Sequence, residues 1–155
     1  MVKKIINDPR GVVDETLEGF LAAHGNDYEK LEDVRGICVK DKKDKVALVI
    51  GGGSGHEPMF AFFPGEGLAD AAACGNIFAS PDPNTIFRTA QAVERGKGVL
   101  FVYGNYAGDN LNFDMAAELL DTVGIESRTV RVMDDVASAP KERIADRRGI
   151  AGDFT

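Results

Sequence analysis

The apolar run Val46-Ala47-Leu48-Val49-Ile50 passes directly into Gly51-Gly52-Gly53-Ser54-Gly55-His56-Glu57-Pro58. A strand that ends this way has few uses. Its carboxyl end opens into a bare backbone turn that a small ligand can approach closely, and glycine alone tolerates the positive φ angles such a turn needs. The pattern returns at Gly98-Val99-Leu100-Phe101-Val102-Tyr103, which leads into the small-residue turn Gly104-Asn105-Tyr106-Ala107-Gly108-Asp109. Between the two, Thr85 to Arg95 places Ile86, Phe87, Ala90 and Val93 at helical spacing and stops at Gly96. A second helix is expected through Phe113, Met115, Ala116, Leu119 and Leu120, and a third strand over Ser127 to Met133, ending in Asp134-Asp135. Strands separated by helices pair in parallel through crossover connections. The predicted fold class is therefore α/β, a mainly parallel sheet with helices on its faces and a ligand crevice at the carboxyl ends of the strands. The strands expected to pair in parallel are those near Val46 to Ile50, Val99 to Tyr103 and Thr129 to Met133.

The flanking segments constrain less. Asp8 to His24 sets Val12, Val13, Leu17, Phe20 and Leu21 near helical spacing, an amphipathic helix with Pro9 in its first turn. Gly36-Ile37-Cys38-Val39 reads as an edge strand or an extended connection. Leu68 to Cys74 fits strand or helix, Glu57 to Phe63 fits a short helix that Pro64, Gly65 and Gly67 end, and Lys141 to Arg148 fits helix or loop.

With 155 residues, 44% of them hydrophobic, the chain is the size of one domain with a proper core. Its 18 basic and 25 acidic residues give a net charge of -7. That disfavours nucleic acid and anionic membrane surfaces as partners, and suits a neutral or small polar substrate. No apolar run approaches the roughly 20 residues of a membrane span, and Met1 to Asp8 lacks the apolar region of a signal peptide, so a cytoplasmic location is expected. Cys38 and Cys74 have no metal-like or redox-like spacing and are expected as buried thiols.

Loops at the carboxyl ends of adjacent strands converge, so His56 and Asp109 are expected to face one crevice although far apart in sequence. Asp134 and Asp135 either join them or serve as loop solvation and caps, and Glu57 is either a site residue or an acid placed for a helix dipole. The glycine turn is not a phosphate loop, because Gly55 is followed by His56 and Glu57 rather than by Lys and Ser or Thr. It lacks the third small residue of a dinucleotide fingerprint. Around Ser54 the glycines do not follow the spacing of a nucleophile elbow. His24, the only other histidine, falls at a polar helix end, so no metal site is expected.

The two turns, with Lys4-Ile5-Ile6-Asn7-Asp8, Phe78-Ala79-Ser80-Pro81, Asn112-Phe113, Asp134-Asp135-Val136-Ala137 and Arg147-Arg148-Gly149 in the same order, resemble the substrate-binding part of the dihydroxyacetone (glycerone) kinases. The resemblance implies that residues 1–155 are the N-terminal portion of a DhaK-type dihydroxyacetone-binding domain whose remainder lies outside this chain. It implies phosphoryl transfer to dihydroxyacetone or a related short ketose, with Gly53, Ser54, Gly55, His56 and Asp109 binding the substrate. His56 and Asp109 are then the catalytic residues. The chemistry agrees: an imidazole can take a hydroxyl proton at neutral pH, and a carboxylate can accept a hydrogen bond from the same hydroxyl. Many relatives carry lysine where this chain has Gly104. The resemblance further implies a homodimer that binds no cofactor of its own, with ATP or ADP and magnesium on a partner kinase subunit or separate domain. It also implies a histidine that bonds covalently to the substrate carbonyl, and neither His24 nor His56 matches it. Residues 1–155 alone are accordingly expected to bind ketone weakly and to be inactive as a kinase. The alternative within the family is a non-catalytic dihydroxyacetone sensor or co-regulator.

Overall fold

A computed structural model describes residues 4–58 and 60–154, so Met1, Val2, Lys3, Met59 and Thr155, which fall within segments read above, lie outside the described residues. Helix α1 (Val12–His24) starts at the first of its apolar positions, later than the Asp8 start expected for the segment, with Gly11 as N-cap. The Asp8 side chain accepts a hydrogen bond from Arg10 N at 2.8 Å and the Asp8 carbonyl one from Gly11 N at 2.9 Å. This local turn competes with the helix and keeps Pro9 outside it.

The remaining elements are β1 (Tyr28–Lys30), β2 (Gly36–Val39), β3 (Ala47–Ser54), β4 (Ala71–Ile77), α2 (Pro83–Val93), β5 (Val99–Gly104), α3 (Ala107–Thr122) and β6 (Ser127–Val132). They build one sheet in the order β1-β2-β4-β3-β5-β6. β4, β3, β5 and β6 pair in parallel, as the alternation of strands and helices requires. β1 and β2 add antiparallel pairings, so the sheet is mixed, although most of its pairings are parallel. β2 is not an edge: β1 covers one side and β4 the other, which leaves Gly36, Ile37 and Cys38 buried. Leu68 to Cys74 resolves as a strand that begins at Ala71, whose small side chains admit packing on both faces. Residues 57, 58 and 60–62 form turns, so no helix is found among the described residues of this segment. Lys141–Asp146 is two 3-10 turns separated by a kink at Arg143, and Ala151–Phe154 is a short 3-10 helix.

Period-two alternation sends the two faces of the sheet to different helices. Val49, Ala73, Phe101 and Tyr103 meet Ile86, Ala90, Phe113 and Leu120 of α2 and α3, with Phe113 stacked on Tyr103 at 4.1 Å. Ile37, Ala72 and Cys74 meet Val13, Leu17 and Phe20 of α1. α2 is started by Asp82, whose side chain accepts from Thr85 N at 3.0 Å, and by Pro83 in its first turn. It ends at Val93, since Glu94 is already extended and Gly96 has φ +81°.

One consequence of this order positions the site. β3 and β5 are parallel neighbours, yet β3 leads to β4 on one side and β5 leads to β6 on the other. Adjacent strands whose connections leave in opposite directions open a crevice at their carboxyl ends.

Candidate functional site

A cavity of about 820 Å³ lies at that position, and His56, following β3, and Asp109, following β5, both line it. The two are brought together from turns far apart in sequence. Ser80, Tyr106 and Asp153 complete much of its polar lining, and Phe60 and Phe78 much of its apolar wall.

The glycines on the β3 side act differently from their reading as a turn. Gly51, Gly52 and Gly53 belong to β3 and pair with Ala73, Cys74 and Gly75 of β4. They are glycine because other parts of the chain occupy the space of a side chain: a Cβ on Gly53 would lie 2.6 Å from Ala79 N, and one on Gly52 2.2 Å from the Phe60 ring. Only Gly55 of this run has a positive φ, +98°, and there the backbone leaves the sheet. Ser54 is buried, and its hydroxyl donates to the Gly75 carbonyl at 2.8 Å. Ser54 and Gly55 line a smaller apolar cavity toward α1 and not the larger one, so of the expected substrate-binding residues Gly53, His56 and Asp109 are the ones brought together there. Glu57 is exposed and accepts a hydrogen bond from Gly55 N at 3.2 Å, which holds the turn.

His56 stands exposed beyond this turn, its ring 4.9 Å from the Phe78 ring in an edge-to-face contact. Phe78 is the one non-glycine residue with positive φ among the described residues, at +53°. Such a conformation is rare for a bulky side chain. Phe78 N donates to the Ser54 carbonyl at 2.8 Å and Ala79 N to the Asn76 carbonyl at 3.1 Å, which locks the segment over the glycines.

Asp109 sits in the first turn of α3, because the helix begins at Ala107, inside the six-residue turn expected from the sequence. Its carboxyl is pushed above the ordinary carboxylate range by burial, against the lowering effects of the Ser80 hydroxyl, its own backbone N–H and the His56 charge. Asp109 Oδ1 is buried and has no hydrogen-bond partner. The α3 turn is tied down from both sides: Asn112 Nδ2 donates to the Pro81 carbonyl at 2.8 Å, Asn105 Nδ2 to the Arg147 carbonyl at 2.7 Å, and the Tyr106 hydroxyl to the Gly149 carbonyl at 2.9 Å.

Asp134 and Asp135 stand apart from the lining of the cavity and act as caps. Asp134 accepts from Ile150 N at 2.8 Å and Gly152 N at 2.6 Å, and Asp135 from Ala137 N at 3.0 Å. His24 is exposed at the end of α1 against Phe20. Cys38 and Cys74 are buried, and burial pushes their thiols up to about 11 and about 12. Among the described residues no group of three or more His, Cys, Asp or Glu side chains could hold a metal ion, and no helix is long and apolar enough to cross a membrane.

Sequence reasoning gave no site role to Phe60, Phe78 or Asp153, although Phe78 belongs to one of the motifs of the resemblance. The positive φ of Phe78 has no sequence signature, and Asp153 reaches the cavity only through the fold of residues 147–153. Phe60 was visible as an apolar residue near the turn, but not as the filler of the space above Gly52.

The fold is thus a mixed α/β sheet, mostly parallel, with helices on its faces and a cavity at its switch point. The Dak1 domain family matches residues 18–155, and the chain belongs to that family. It is 44% identical, over 99% of its length, to the dihydroxyacetone-binding subunit DhaK of PTS-dependent dihydroxyacetone kinase 2 of Listeria innocua, and spans 46% of that relative. The crystal structure of the dihydroxyacetone kinase of C. freundii superposes with a TM-score of 0.91 at 36% identity, covering 99% of this chain and 29% of that one. The dihydroxyacetone kinase operon co-activator DhaQ superposes with a TM-score of 0.82 at 28% identity, covering 90% of this chain and 43% of that one. The chain thus spans about half or less of the length of these relatives.

Proposed function

We propose that the chain supplies the ketone-binding site of a dihydroxyacetone-type kinase, a phosphotransferase acting on dihydroxyacetone or a related short ketose. The observation that carries this reading is the shared cavity, where an exposed imidazole and a half-buried carboxylate with a free acceptor oxygen face one volume. In this reading His56 is the general base that takes the proton of the attacking hydroxyl. Asp109 accepts a hydrogen bond that orients the hydroxyl or the imidazole. The backbone of Gly53 forms part of the floor beneath the substrate, and Ser54 and Gly55 serve it by holding the turn that carries His56. Asp109 suits the role because burial and a missing donor leave its carboxylate in need of one.

Phosphoryl transfer also needs nucleotide with magnesium, and the glycines of β3 are spent on strand pairing and on packing against Phe60 and Ala79. The phosphoryl donor is therefore assigned to a separate subunit or domain. Homodimer formation belongs to the same proposal, and the exposed apolar stripe Leu111, Met115 and Leu119 along α3 supports it.

Greater likeness to the kinase of C. freundii than to the co-activator favours transfer over sensing. The deciding experiment is phosphorylation of dihydroxyacetone by the protein with a nucleotide-bearing partner supplied. Turnover supports the kinase reading, and intact ketone binding without turnover favours a sensor.

A further inference from the structure

The charges fixed in the lining of the cavity are acidic. Asp109 and Asp153 contribute carboxyls, His56 is neutral when it acts as a base, and no lysine or arginine is among the described lining residues. The arginines at this end of the sheet are engaged elsewhere. Arg131 holds Asp114 at 2.6 Å, Arg147 Nε donates to the Ala139 carbonyl at 2.9 Å, and the Arg148 guanidinium lies 5.9 Å from the centroid of the Tyr106 ring. The N-terminus of α3 would otherwise attract an anion, and the Asp109 carboxyl already occupies that first turn.

Asp153 is the carboxyl that the His56 and Asp109 chemistry leaves unused. It sits in the short helix Ala151–Phe154, which the Asp134 carboxylate grips through Ile150 N and Gly152 N. Its Oδ1 is buried without a hydrogen-bond partner, as is Asp109 Oδ1. A Cβ on Gly104 would stand 2.8 Å from its Oδ2, and one on Gly149 would stand 3.1 Å from its Oδ1, so the two glycines leave the carboxyl uncovered. Burial, with the charges of Asp134 and Asp109 nearby, pushes the Asp153 carboxyl up to about 6, and above that pH it is mainly ionised.

An uncharged hydroxyl can donate to such a carboxylate, whereas a phosphate dianion offers only acceptors and carries charge of the same sign. At 0.1 M salt the screening length is about 10 Å, so a small ligand in a cavity of about 820 Å³ feels both carboxylates. We propose that Asp153 is a specificity-determining residue that excludes phosphate esters from the cavity, so that the uncharged ketose is held and its phosphorylated form leaves. The proposal rests on the reading of the cavity as a ketone site, and it deepens that reading by naming what the site rejects.

The test is a pair of amide NMR titrations of the full chain, one with dihydroxyacetone and one with dihydroxyacetone phosphate, at about pH 8, where the phosphate is a dianion. Wild-type protein should bind dihydroxyacetone at least about tenfold more tightly than its phosphate. Asp153→Asn keeps the shape and removes the charge, and it should tighten the phosphate by about tenfold. Dihydroxyacetone should change by less than about twofold, because the amide oxygen still accepts from a hydroxyl. Salt supplies a second readout that needs no variant. Raising it from about 0.01 M to about 1 M shortens the screening length from about 30 Å to about 3 Å, so wild-type affinity for the phosphate should rise while that for dihydroxyacetone stays level. Equal wild-type affinities, a ratio that Asp153→Asn leaves unchanged, or a phosphate affinity that does not rise with salt overturns the proposal and leaves the ketone reading standing. A wild-type protein that binds neither ligand, or the phosphate alone, overturns both.

Discussion

The ends of β3 and β5 occupy equivalent places in the sheet, yet they present the side chains of the proposed site, His56 and Asp109, in opposite environments. At the end of β3, three glycines stay in the strand, the chain turns at Gly55, and His56 is left exposed in an edge-to-face contact with Phe78. After β5, the chain turns at once into α3, and Asp109 is drawn into the first helical turn, where burial raises its pKa and one oxygen lacks a donor. The first environment allows proton exchange with solvent, which a general base needs. The second fixes an acceptor in space, which an orienting group needs. The difference teaches that the division of labour in the proposed site is set by how each strand ends rather than by the residue types alone.

The sharpest way to break this comparison is to remove the exposed partner. His56→Asn keeps the turn but takes away proton transfer, and should lower turnover of the assembled kinase by on the order of 10²–10⁴. Unchanged turnover in the phosphorylation assay would reject His56 as the base. Asp109→Asn keeps the shape and weakens the acceptor, so turnover should fall by less than in His56→Asn. A larger fall would reverse the assigned roles.

The next test concerns the strand and not the chemistry. Gly53→Val would drive a side chain into the backbone of Phe78 and Ala79, with the Cβ alone 2.6 Å from Ala79 N. It should lower stability by about 3 kcal/mol through overpacking, read as a lower urea midpoint. Loss of ketone binding with an unchanged midpoint would show instead that Gly53 is needed only at the ligand.

A smaller effect comes from the carboxyl of Asp153. Its folded pKa of about 6 stands above the ordinary value of 3.8, so between these values the folded state holds a proton that the unfolded state has released. The contribution of this group to stability is therefore full below pH 3.8 and lost as pH rises through about 6, opposite in sign to carboxylates such as Asp82 and Asp14, which partners hold low. Asp153→Asn should raise stability at pH 7 relative to pH 4 by on the order of 1 kcal/mol, allowing for solvent screening in the open cavity. Urea midpoints of both proteins at the two pH values check this, and a difference that does not change with pH would remove the burial of Asp153 from the account. Last, Ser54→Ala should cost about 1 kcal/mol by leaving the Gly75 carbonyl without its donor, with ketone affinity unchanged, as two titrations would show.

Much of this arrangement is legible in the residues themselves. The apolar runs at Val46 to Ile50 and Val99 to Tyr103 locate β3 and β5, and parallel pairing then brings His56 and Asp109 to one end of the sheet. Other parts have no local signal. β1 is three residues of mixed polarity and exists because β2 offers it an edge to pair with. Gly51 to Gly53 suggest a turn, because a bare backbone is what a turn requires; their actual reason, the rings and backbone packed over them, comes from residues 60, 78 and 79 and is invisible in the local run. Pro9 suggests a helix start, but the Asp8 turn takes precedence. Asp153 is one acid among 25 acidic residues until the chain from Gly149 places it beside Gly104.

The central claim is that the ends of β3 and β5 form one ketone site, and the most direct measurement is an amide NMR titration of the protein with dihydroxyacetone. The account predicts that the amides of Gly53, Gly55 and His56 and those of Tyr106 and Asp109 shift together along a single saturation curve. Shifts confined to one strand end, or to neither, would contradict it.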